Sequence, residues 1–466
     1  MCGIIGIIGQ GPVSDSLFQA MLHLQHRGQD ASGIYLYSPS SQTPFLKKRH
    51  GLVQNLFLKD EGSFMEGEWG LGHVRYATAG KNCPSDAQPH VHGKLALVHN
   101  GNLVNYLSLK RRLEPSCTFQ TGCDSEALLY QLFQNLACPN FDGICSAVAS
   151  IFAEATGSYS VIALLEGVGM FAFRDPHGIR PLVMGAQPFS YAFASETSAL
   201  SVLGYRQIED LQPGEVVFVD QEGTLHRRRL CTRKKAFCSF EFNYFAKPHS
   251  LLEGKEIYQT RAKLGKSLAQ RILEARLTFD AIVPIPESGN VAAASLAQAL
   301  SIPFETGFVK MGHVRTFLCA TAEKRETAVK QKLFSIASVF EGKSVLLVDD
   351  SIIRGTVSKR AIALAKEAGA KSVSIASTFP PVRFPCVYGI DFPNQEDLIA
   401  ANKSIEEIEE ALGADKVIYN SVGDFKEAIG MEHLCTGCMT GSYPTSLEGI
   451  EELQRQRKED LQLIGT

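Results

Sequence analysis

Cys2 is the residue with the clearest chemical potential near the start of the chain. The small cysteine side chain should permit removal of Met1, which would make Cys2 the first residue. A terminal cysteine carries a thiol and a free α-amine whose pKa of about 7.7–8.0 suits a base near neutral pH. Nucleophile and base would then belong to one residue. The alternative is a small apolar residue beginning a buried strand, since CGIIGIIG is a good strand by itself.

A second chemical pattern is the string SVLLVDDSIIRGTVSKR at 344–360. A buried strand ends in two acids, Asp349 and Asp350, which can accept two ribose hydroxyls and hold Mg²⁺ nearby. The following residues offer hydroxyl, guanidinium and backbone N–H donors at a helix N-terminus, which suits a 5′-phosphate; they are Ser351, Arg354, Gly355 and Thr356. The alternative is an ordinary turn of a doubly wound domain, with Asp350 or Ser351 as a helix cap.

The elements that must position these residues differ between the two halves. Short β-rich runs with turn pairs dominate up to about residue 230, and helical spacing occurs at 13–25, 124–137 and 143–155. This pattern predicts antiparallel sheets with helices packed outside, an α+β arrangement. From about residue 258 the rhythm becomes strand, loop, helix, which predicts an α/β unit with a parallel sheet. A basic and then aromatic stretch between them is interpreted as the junction, and 445–464 as a helical tail.

Four motifs follow Cys2 in the first half: HRGQDASG (26–33), GHVRYAT (72–78), VHNGNL (98–103) and CDSEAL (123–128). Together with Cys2 they resemble the class II glutamine amidotransferases. The resemblance covers nearly the whole first half. It implies the N-terminal nucleophile hydrolase fold, a four-layer αββα sandwich, and hydrolysis of glutamine.

A glutamine pocket requires a cation for the α-carboxylate, an acid for the α-ammonium group, and donors for the oxyanion. Arg75 and Asp124 suit the first two tasks, and Asn100 with the N–H of Gly101 suits the third. The family resemblance implies the same roles, and it implies that Arg27 helps to organise the catalytic end. In isolation, Arg75 is more often a surface ion-pair partner, Asn100–Gly101 a hairpin turn and Asp124 a helix N-cap. The conjunction with Cys2 favours the site.

The 344–360 string resembles the phosphoribosyl-diphosphate motif of type I phosphoribosyltransferases. PIPESGNVAAA (284–294) resembles the loop that holds diphosphate in the same family, with Ser288 as a ligand of diphosphate and Mg²⁺. The segments 307–318 and 324–334 match a mobile flap, although the first departs from the family pattern. Candidates to neutralise the leaving diphosphate there are Lys310, Arg315, Lys330 and Lys332.

Four of the twelve cysteines have the contexts of a metal cluster. CTGC supplies Cys435 and Cys438, a C-x-x-C pair that is compatible with zinc or redox chemistry. The contexts of Cys238 and Cys386 resemble those of one branch of the amidophosphoribosyltransferases, in which four cysteines hold a [4Fe–4S] cluster. Zinc in a four-cysteine site is the physical alternative.

The composition fits a large enzyme that acts on small molecules. The chain has 466 residues, 45% of them hydrophobic, and a formal net charge of −3, which disfavours nucleic acid as a partner. It lacks an apolar run of about 18 residues, so no membrane span is expected. The absence of a secretion signal favours the cytoplasm, where twelve cysteines are unlikely to form a disulfide framework.

Taken together, the halves resemble the amidophosphoribosyltransferase family, in its iron–sulfur branch. The resemblance implies transfer of ammonia from glutamine to phosphoribosyl diphosphate, the first committed step of de novo purine synthesis. We expect a glutaminase domain at 2–230 and a phosphoribosyltransferase domain with a helical tail at 231–466. The resemblance also implies a homotetramer that purine nucleotides inhibit.

Overall fold

Two antiparallel sheets form the centre of the first half. The structure, a computed structural model, describes residues 1–57, 67–76, 84–310 and 333–464. The strands of the first half are β1 (Gly3–Gly9), β2 (Ala31–Ser38), β3 (Thr43–His50), β4 (Trp69–Arg75), β5 (His90–His92), β6 (Leu95–Leu103), β7 (Gly157–Leu165), β8 (Gly169–Arg174), β9 (Val183–Gln187), β10 (Ser190–Ala194), β11 (Gln207–Asp210), β12 (Glu215–Asp220) and β13 (Leu225–Arg229). Within the described ranges one sheet has the order β11–β9–β10–β1–β4–β2–β3, and the other β13–β12–β8–β7–β6–β5.

Helices cover the outer faces of both sheets. They are α1 (Ser14–Leu24), α2 (Tyr106–Leu113), α3 (Asp124–Asn135), α4 (Phe141–Glu154) and α5 (Thr197–Ser201). Ile4 and Ile8 of β1 pack into the core between the sheets, whereas Ile5 and Ile7 pack on the α1 side. Burial of both faces explains why β1 is a continuous apolar run. Because α2, α3 and α4 pack on the second sheet, the layers are αββα, which confirms the predicted fold.

The second half is built on a parallel sheet. Its strands are β14 (Phe237–Cys238), β15 (Leu251–Leu252), β16 (Lys255–Glu256), β17 (Ala281–Pro284), β18 (Phe308–Lys310), β19 (Leu333–Ser335), β20 (Ser344–Asp349), β21 (Ser372–Ser377), β22 (Val417–Tyr419) and β23 (Leu434–Cys435). The order β17–β20–β21–β22 is parallel throughout. This sheet confirms the predicted α/β unit.

Helices lie on both faces of this parallel sheet. They are α6 (Ile257–Glu274), α7 (Asn290–Leu300), α8 (Ala337–Phe340), α9 (Thr356–Glu367), α10 (Ile405–Leu412), α11 (Val422–Ile429), α12 (Gly437–Thr440) and α13 (Ile450–Ile464). Val345 and Leu347 of β20 pack with residues of α9 and α10. Leu346 and Val348 pack with residues of α6 and α7. The strand is therefore apolar on both faces, and its polar residues follow at its carboxyl end.

A hydrophobic cluster joins the two halves. It includes Val104 and Ile179 from the first half and Phe237, Phe379 and Tyr388 from the second. A short π-helical turn, Glu241–Phe245, contributes to this cluster. The turn follows β14, which pairs in parallel with β23. The aromatic part of the stretch interpreted as the junction thus packs into a core that both halves share.

The tail helix α13 begins at Ile450, five residues later than the predicted start. Its Glu452 pairs with Arg111 of α2 at 2.6 Å, and its Arg457 pairs with Asp391 at 2.7 Å. The helix therefore contacts both halves. None of the helices in the described ranges combines the length and apolar character that crossing a membrane requires.

Candidate active site

Cys2 lies directly before strand β1, in the middle of the first sheet. β1 pairs with β4 on one side and β10 on the other, which holds the backbone on both sides. The Cys2 thiol is half-buried and donates to the carbonyl of Tyr76, with Sγ and O 3.6 Å apart. The Cys2 carbonyl accepts a hydrogen bond from Nε of Arg27 at 3.1 Å. The fold therefore presents an accessible thiol at the end of a rigid strand.

Arg27 is fully buried between two carboxylates. Its Nη1 lies 2.6 Å from Oε1 of Glu196, and its Nη2 lies 2.7 Å from Oε1 of Glu241. Burial alone would lower the pKa of Arg27, but Glu241 and Glu196 outweigh it, so that the pKa is raised. Because the same guanidinium holds the Cys2 carbonyl, Arg27 links the nucleophile to an ion-pair cluster. This position agrees with the organising role predicted for Arg27.

Asn100 and Gly101 lie within strand β6, and not in a hairpin turn. The Asn100 side chain is fully buried, and among the described residues neither its Nδ2 nor its Oδ1 has a hydrogen-bond partner. An unpaired buried amide costs about 1–3 kcal/mol, which a ligand that pairs with it would recover. Gly101 has φ +158, and a Cβ there would lie 2.0 Å from the carbonyl oxygen of Ser158. Only glycine fits this position, and the turn alternative is wrong.

Arg75 and Asp124 are also buried polar groups. Nη2 of Arg75 lies 3.6 Å from Oδ2 of Asp86 and 3.6 Å from Sγ of Cys123, so Arg75 is not a surface ion-pair partner. Asp124 is the first residue of α3, whose N-cap is Cys123. Its Oδ2 accepts from the backbone N–H of Leu103 at 2.8 Å. The N-cap alternative is therefore wrong, and the other oxygen, Oδ1, lies 3.7 Å from Nδ1 of the buried His99.

The structure adds polar groups around this pocket, most of them buried, that sequence reasoning missed. Asp86 orients the pocket through Arg75 and accepts from the N–H of Gly122 at 3.1 Å. Burial lowers the pKa of Lys48 to about 8, despite the raising effect of Cys123, Glu126 and Asp86. The other missed groups are His73, His90 and His99, whose pKa values burial lowers. No local motif marks Asp86 or Lys48. Two of the three histidines do lie in motifs identified from the sequence, His73 in GHVRYAT and His99 in VHNGNL.

Asp349 ends β20 and Asp350 follows it, at the edge of the sheet where the predicted second site lies. The Asp350 carboxylate accepts hydrogen bonds from Ser288 and, at 2.6 Å, from Ser351. Burial and the neighbouring Asp350 raise the pKa of Asp349 well above its ordinary value. Burial also raises the pKa of Asp350, although Ser288 and Ser351 oppose it. Two buried acids with raised pKa values form a site that a divalent cation would stabilise.

The loop after Asp350 leads into α9 as predicted. Gly355 has φ +80, and a Cβ there would lie 2.6 Å from Cδ1 of Ile399, so this turn requires glycine. Thr356 begins the helix, and its backbone N–H is one of those available to an anion. Arg354 points elsewhere, since its Nη2 donates to the Asp391 carbonyl at 3.0 Å. Its role as a phosphate donor stays a prediction, and Arg315, Lys330 and Lys332 lie outside the described residues.

The four cysteines with cluster-like contexts line one cavity. Cys238 and Cys435 are paired across β14 and β23, and Cys386 and Cys438 complete the set. The other lining residues are mainly apolar; they are Ile179, Ser239, Phe240, Tyr388, Ile390 and Tyr443. In the described ranges no three His, Cys, Asp or Glu side chains converge on a position for a single metal ion. The four thiols therefore line a cavity, and they do not converge on one position that a single metal ion could occupy.

Hydrogen-bond donors and charge also distinguish this cavity. Arg180 donates to Sγ of Cys238 at 3.4 Å, and the N–H of Tyr388 donates to Sγ of Cys386 at 3.4 Å. Burial raises the pKa of Cys238 to about 11 and also raises that of Cys438, with the neighbouring thiols adding to the effect. These thiols would ionise only with a compensating positive group. Donors to sulfur and an apolar wall fit an iron–sulfur group.

The π-helical turn Glu241–Phe245 contacts both candidate sites. Glu241 pairs with Arg27, which holds Cys2. Two residues later, Nδ2 of Asn243 donates to the carbonyl of Asp350 at 3.0 Å, and both side chains are buried. One turn of chain therefore fixes the nucleophile on one side and the acid pair on the other.

The αββα layers with a half-buried cysteine directly before the first strand, and the parallel sheet with its acid pair, define a glutamine amidotransferase joined to a phosphoribosyltransferase. Family models agree: residues 73–202 match a glutamine amidotransferase domain and residues 253–382 match a phosphoribosyl transferase domain. An amidophosphoribosyltransferase of Pseudomonas aeruginosa is 40% identical, covering 96% of this chain and 93% of the relative. One of Bacillus subtilis is 36% identical over 96% and 94%. The chain belongs to the amidophosphoribosyltransferase family and is an enzyme.

Comparison with solved structures indicates the same family. A glutamine phosphoribosylpyrophosphate amidotransferase from B. subtilis, complexed with ADP and GMP, matches with a TM-score of 0.85 and 35% identity. The alignment covers 96% of this chain and 98% of the other. An allosteric regulatory enzyme of purine biosynthesis matches with a TM-score of 0.84 and 35% identity, covering 96% and 97%. The likeness thus extends over both halves and their junction.

Proposed function

We propose that this enzyme hydrolyses glutamine to glutamate and ammonia, and transfers the ammonia to C1 of 5-phosphoribosyl 1-diphosphate. The products are 5-phosphoribosylamine and diphosphate, in the first committed step of purine synthesis. The observation that carries the proposal is the turn Glu241–Phe245, which contacts the partner of Cys2 and the carbonyl of Asp350. A single chain that joins an amide-hydrolysing site to a ribose-phosphate site suits a reaction that passes ammonia from one to the other.

In the first step the Cys2 thiolate attacks the side-chain amide of glutamine. The α-amine of Cys2 takes the thiol proton and returns it to the departing ammonia. Asn100 and the N–H of Gly101 stabilise the oxyanion, because fixed donors aimed at developing charge lower the barrier. Arg75 binds the α-carboxylate of glutamine and Asp124 its ammonium group. Water then hydrolyses the thioester to release glutamate.

In the second step ammonia displaces diphosphate from C1 of the sugar. Asp349 and Asp350 hold the two ribose hydroxyls, and the loop from Ser351 to Thr356 holds the 5′-phosphate at the start of α9. Ser288 and Lys330 are proposed to bind the diphosphate. Positive charge develops at C1 as diphosphate leaves, so groups that neutralise diphosphate supply the main help to this step.

Mg²⁺ is the metal that the second site suits. Oxygen ligands of Asp349, Asp350 and Ser288 would hold it near the diphosphate, since Mg²⁺ prefers carboxylates and substrate phosphates. When bound, Mg²⁺ neutralises charge on the diphosphate leaving group. The fit rests on the donor set, because the Asp350 carboxylate is hydrogen-bonded to Ser288 and both acids are buried side by side, where a cation would offset their charge.

We further propose that Cys238, Cys386, Cys435 and Cys438 hold a [4Fe–4S] cluster with a structural role. The cavity would let the cluster join β14, β23 and the chain around Cys386 into one unit. The test is the visible spectrum with the iron and sulfide content of freshly purified protein. Cys435→Ser should lose iron, whereas Cys145→Ser, a buried cysteine of α4, should retain it. Colourless wild-type protein with one zinc would contradict the cluster.

The domain boundary and assembly are proposals as well. A boundary at 230/231 is supported by the end of β13 at Arg229 and by the pairing of β14 with the distant β23. We propose a cytoplasmic homotetramer that purine nucleotides inhibit. The ADP and GMP bound to the B. subtilis relative support nucleotide regulation. Sedimentation and inhibition by purine nucleotides would test both proposals.

The deciding experiment follows glutamate and diphosphate together in one reaction with glutamine, Mg²⁺ and phosphoribosyl diphosphate. Both products should form in equal amounts. Cys2→Ala should abolish turnover with glutamine and spare turnover with ammonium, while the control Cys145→Ala leaves both intact. Glutamate without diphosphate would indicate another class II amidotransferase. Neither product would indicate a sensor that binds phosphoribosyl diphosphate.

A further inference from the structure

The chain segment that follows Cys386 packs against the strand that carries the oxyanion donors. Residues 387–389, called here the 387–389 segment, belong to the second half of the chain and are buried. Nδ2 of Asn102 donates to the carbonyl of Val387 at 2.9 Å. A Cβ built on Gly389 would lie 2.9 Å from the carbonyl oxygen of Gly101. The segment therefore touches the backbone of Gly101 and the side chain of its neighbour.

The central residue of the segment, Tyr388, is also fixed by hydrogen bonds to the first half of the chain. The carbonyl of Tyr388 accepts from Oγ of Ser158 at 3.1 Å and from Nε of Arg180 at 3.0 Å. Ser158 lies on β7 opposite Asn102, and its Oγ also accepts from the Asn102 N–H at 3.3 Å. The hydrogen bonds thus connect the 387–389 segment to β7 through Ser158, and from there to β6 at Asn102, the residue after Gly101.

We propose that the 387–389 segment positions the oxyanion donor Gly101, so that Gly389 and the Val387 carbonyl are positioning elements for glutamine hydrolysis. This inference rests on the proposed function. Gly101 is paired with Tyr159 of β7, and the segment adds a second contact at the Gly101 carbonyl. The left-handed Gly389, with φ +94, brings backbone against backbone without an intervening side chain. A donor whose backbone is held by two contacts keeps its aim as negative charge develops.

The inference predicts a specific effect of one methyl group. In Gly389→Ala the Cβ would press on the Gly101 carbonyl at a distance that real Cβ atoms essentially do not show, so this backbone contact must open, and a shift on the Gly101 side would move its N–H away from the oxyanion. Misplacing or removing an oxyanion donor costs about 10²- to 10³-fold in kcat. We therefore expect kcat for glutamine to fall about tenfold or more, with KM for glutamine unchanged.

Gly369→Ala is the matched control. Gly369 has a similar left-handed conformation, φ +87, but the nearest atom to its Cβ lies 3.5 Å away in Glu341. Both variants carry the strain of alanine at positive φ, and only Gly389→Ala meets the Gly101 backbone. Asn102→Ala is a second variant that adds no atom; it removes the hydrogen bond to Val387 and should also lower kcat for glutamine, by a smaller factor.

The assay measures kcat and KM with glutamine, and turnover with ammonium, for the wild type and the three variants. The proposal requires a fall in kcat with glutamine, retained turnover with ammonium, and an unchanged control. Equal kcat in wild type and Gly389→Ala would overturn it, as would an equal loss with both nitrogen sources. If Gly389→Ala does not fold, the same comparison of kcat with glutamine and turnover with ammonium is made on Asn102→Ala, and the same results support or overturn the proposal. Wild-type protein that does not hydrolyse glutamine would instead refute the proposed function itself.

Discussion

Replacing Glu241 by glutamine would test whether the buried ion-pair cluster supports the nucleophile. Arg27 and Arg180 face Glu196 and Glu241 there, with Glu241 contacting both arginines at 2.7 and 3.7 Å. His26 adds no full charge, since burial lowers its pKa. The charges of two arginines and two glutamates therefore neutralise one another in a buried cluster. Glu241→Gln leaves two cations with one anion and keeps nearly the same shape.

The expected loss of stability follows from this imbalance. Removing one partner of a buried ion pair costs about 3–5 kcal/mol, because the remaining charge stays buried. The glutamine amide retains one acceptor oxygen for Arg27, so we expect the lower value of about 3 kcal/mol. For a cooperative unit of about 150–250 residues this corresponds to a decrease in Tm of roughly 6–12 °C.

The functional effect should be confined to the glutaminase. Arg27 would lose half of the bidentate contact that aims its Nε at the Cys2 carbonyl. We expect turnover with glutamine to fall about tenfold or more, since small displacements of a nucleophile cost this much, and turnover with ammonium to change far less. The measurements are thermal unfolding and steady-state rates with each nitrogen source, taken well below the lower Tm.

Glu253→Gln is the matched control for this prediction. Glu253 pairs with the buried Arg174 at 2.6 Å and makes no recorded contact with Cys2 in the described part of the chain. It should lower Tm and leave the ratio of the two rates unchanged. A Glu241→Gln protein as stable as the wild type would refute the argument from buried charge. A lower Tm with an unchanged rate ratio would refute the link from Arg27 to the nucleophile.

Three further predictions concern the ligand sites. Asp349→Ala with Asp350→Ala should abolish formation of diphosphate with either glutamine or ammonium, while release of glutamate from glutamine persists, as separate assays of the two products would show. Arg75→Lys should raise KM for glutamine at least tenfold, because lysine lacks the planar fork that binds a carboxylate bidentately, and steady-state kinetics would measure it. Mg²⁺ with phosphoribosyl diphosphate should raise Tm more at pH 8 than at pH 5.

The sign of the pH effect follows from the acid pair. Burial raises the pKa values of Asp349 and Asp350 in the folded protein, above an unfolded value of about 3.9. Without metal, stability therefore falls as pH rises from the unfolded value through the folded values. Mg²⁺ must displace the retained protons, so its binding strengthens over the same range. A Tm increase that is equal at both pH values would contradict this assignment.

The residues of the second candidate site could be singled out from the sequence because they are local in the chain. Asp349 to Thr356 are consecutive, so a strand followed by a helix is enough to bring their groups together. Arg354 is the exception. Its side chain turns to the Asp391 carbonyl, 37 residues away, and no short-range pattern marks that partner.

The glutamine pocket, in contrast, depends on contacts between residues that are distant in the chain. Judged singly, Arg75, Asn100 and Asp124 favour a surface ion pair, a turn and a cap, because those alternatives depend only on neighbouring residues. The folded chain makes each of these alternatives wrong, because Arg75 is buried, Asn100 lies within a paired strand and Cys123 takes the cap position. Asp86 was missed for the same reason, since its contact with Arg75 depends on the packing of a loop against β4.

By itself the sequence determined the two fold classes, and it singled out Cys2, the acid pair and four cysteines as candidates, since apolar periodicity and contiguous motifs act over short stretches. Only the tertiary structure decided which groups support them. Arg27 meets Glu241 across 214 positions, and Gly389 meets Gly101 through close backbone packing. Such contacts depend on how whole layers pack, and a side chain's burial and partners are properties of that packing. They are therefore absent from any local pattern of residues.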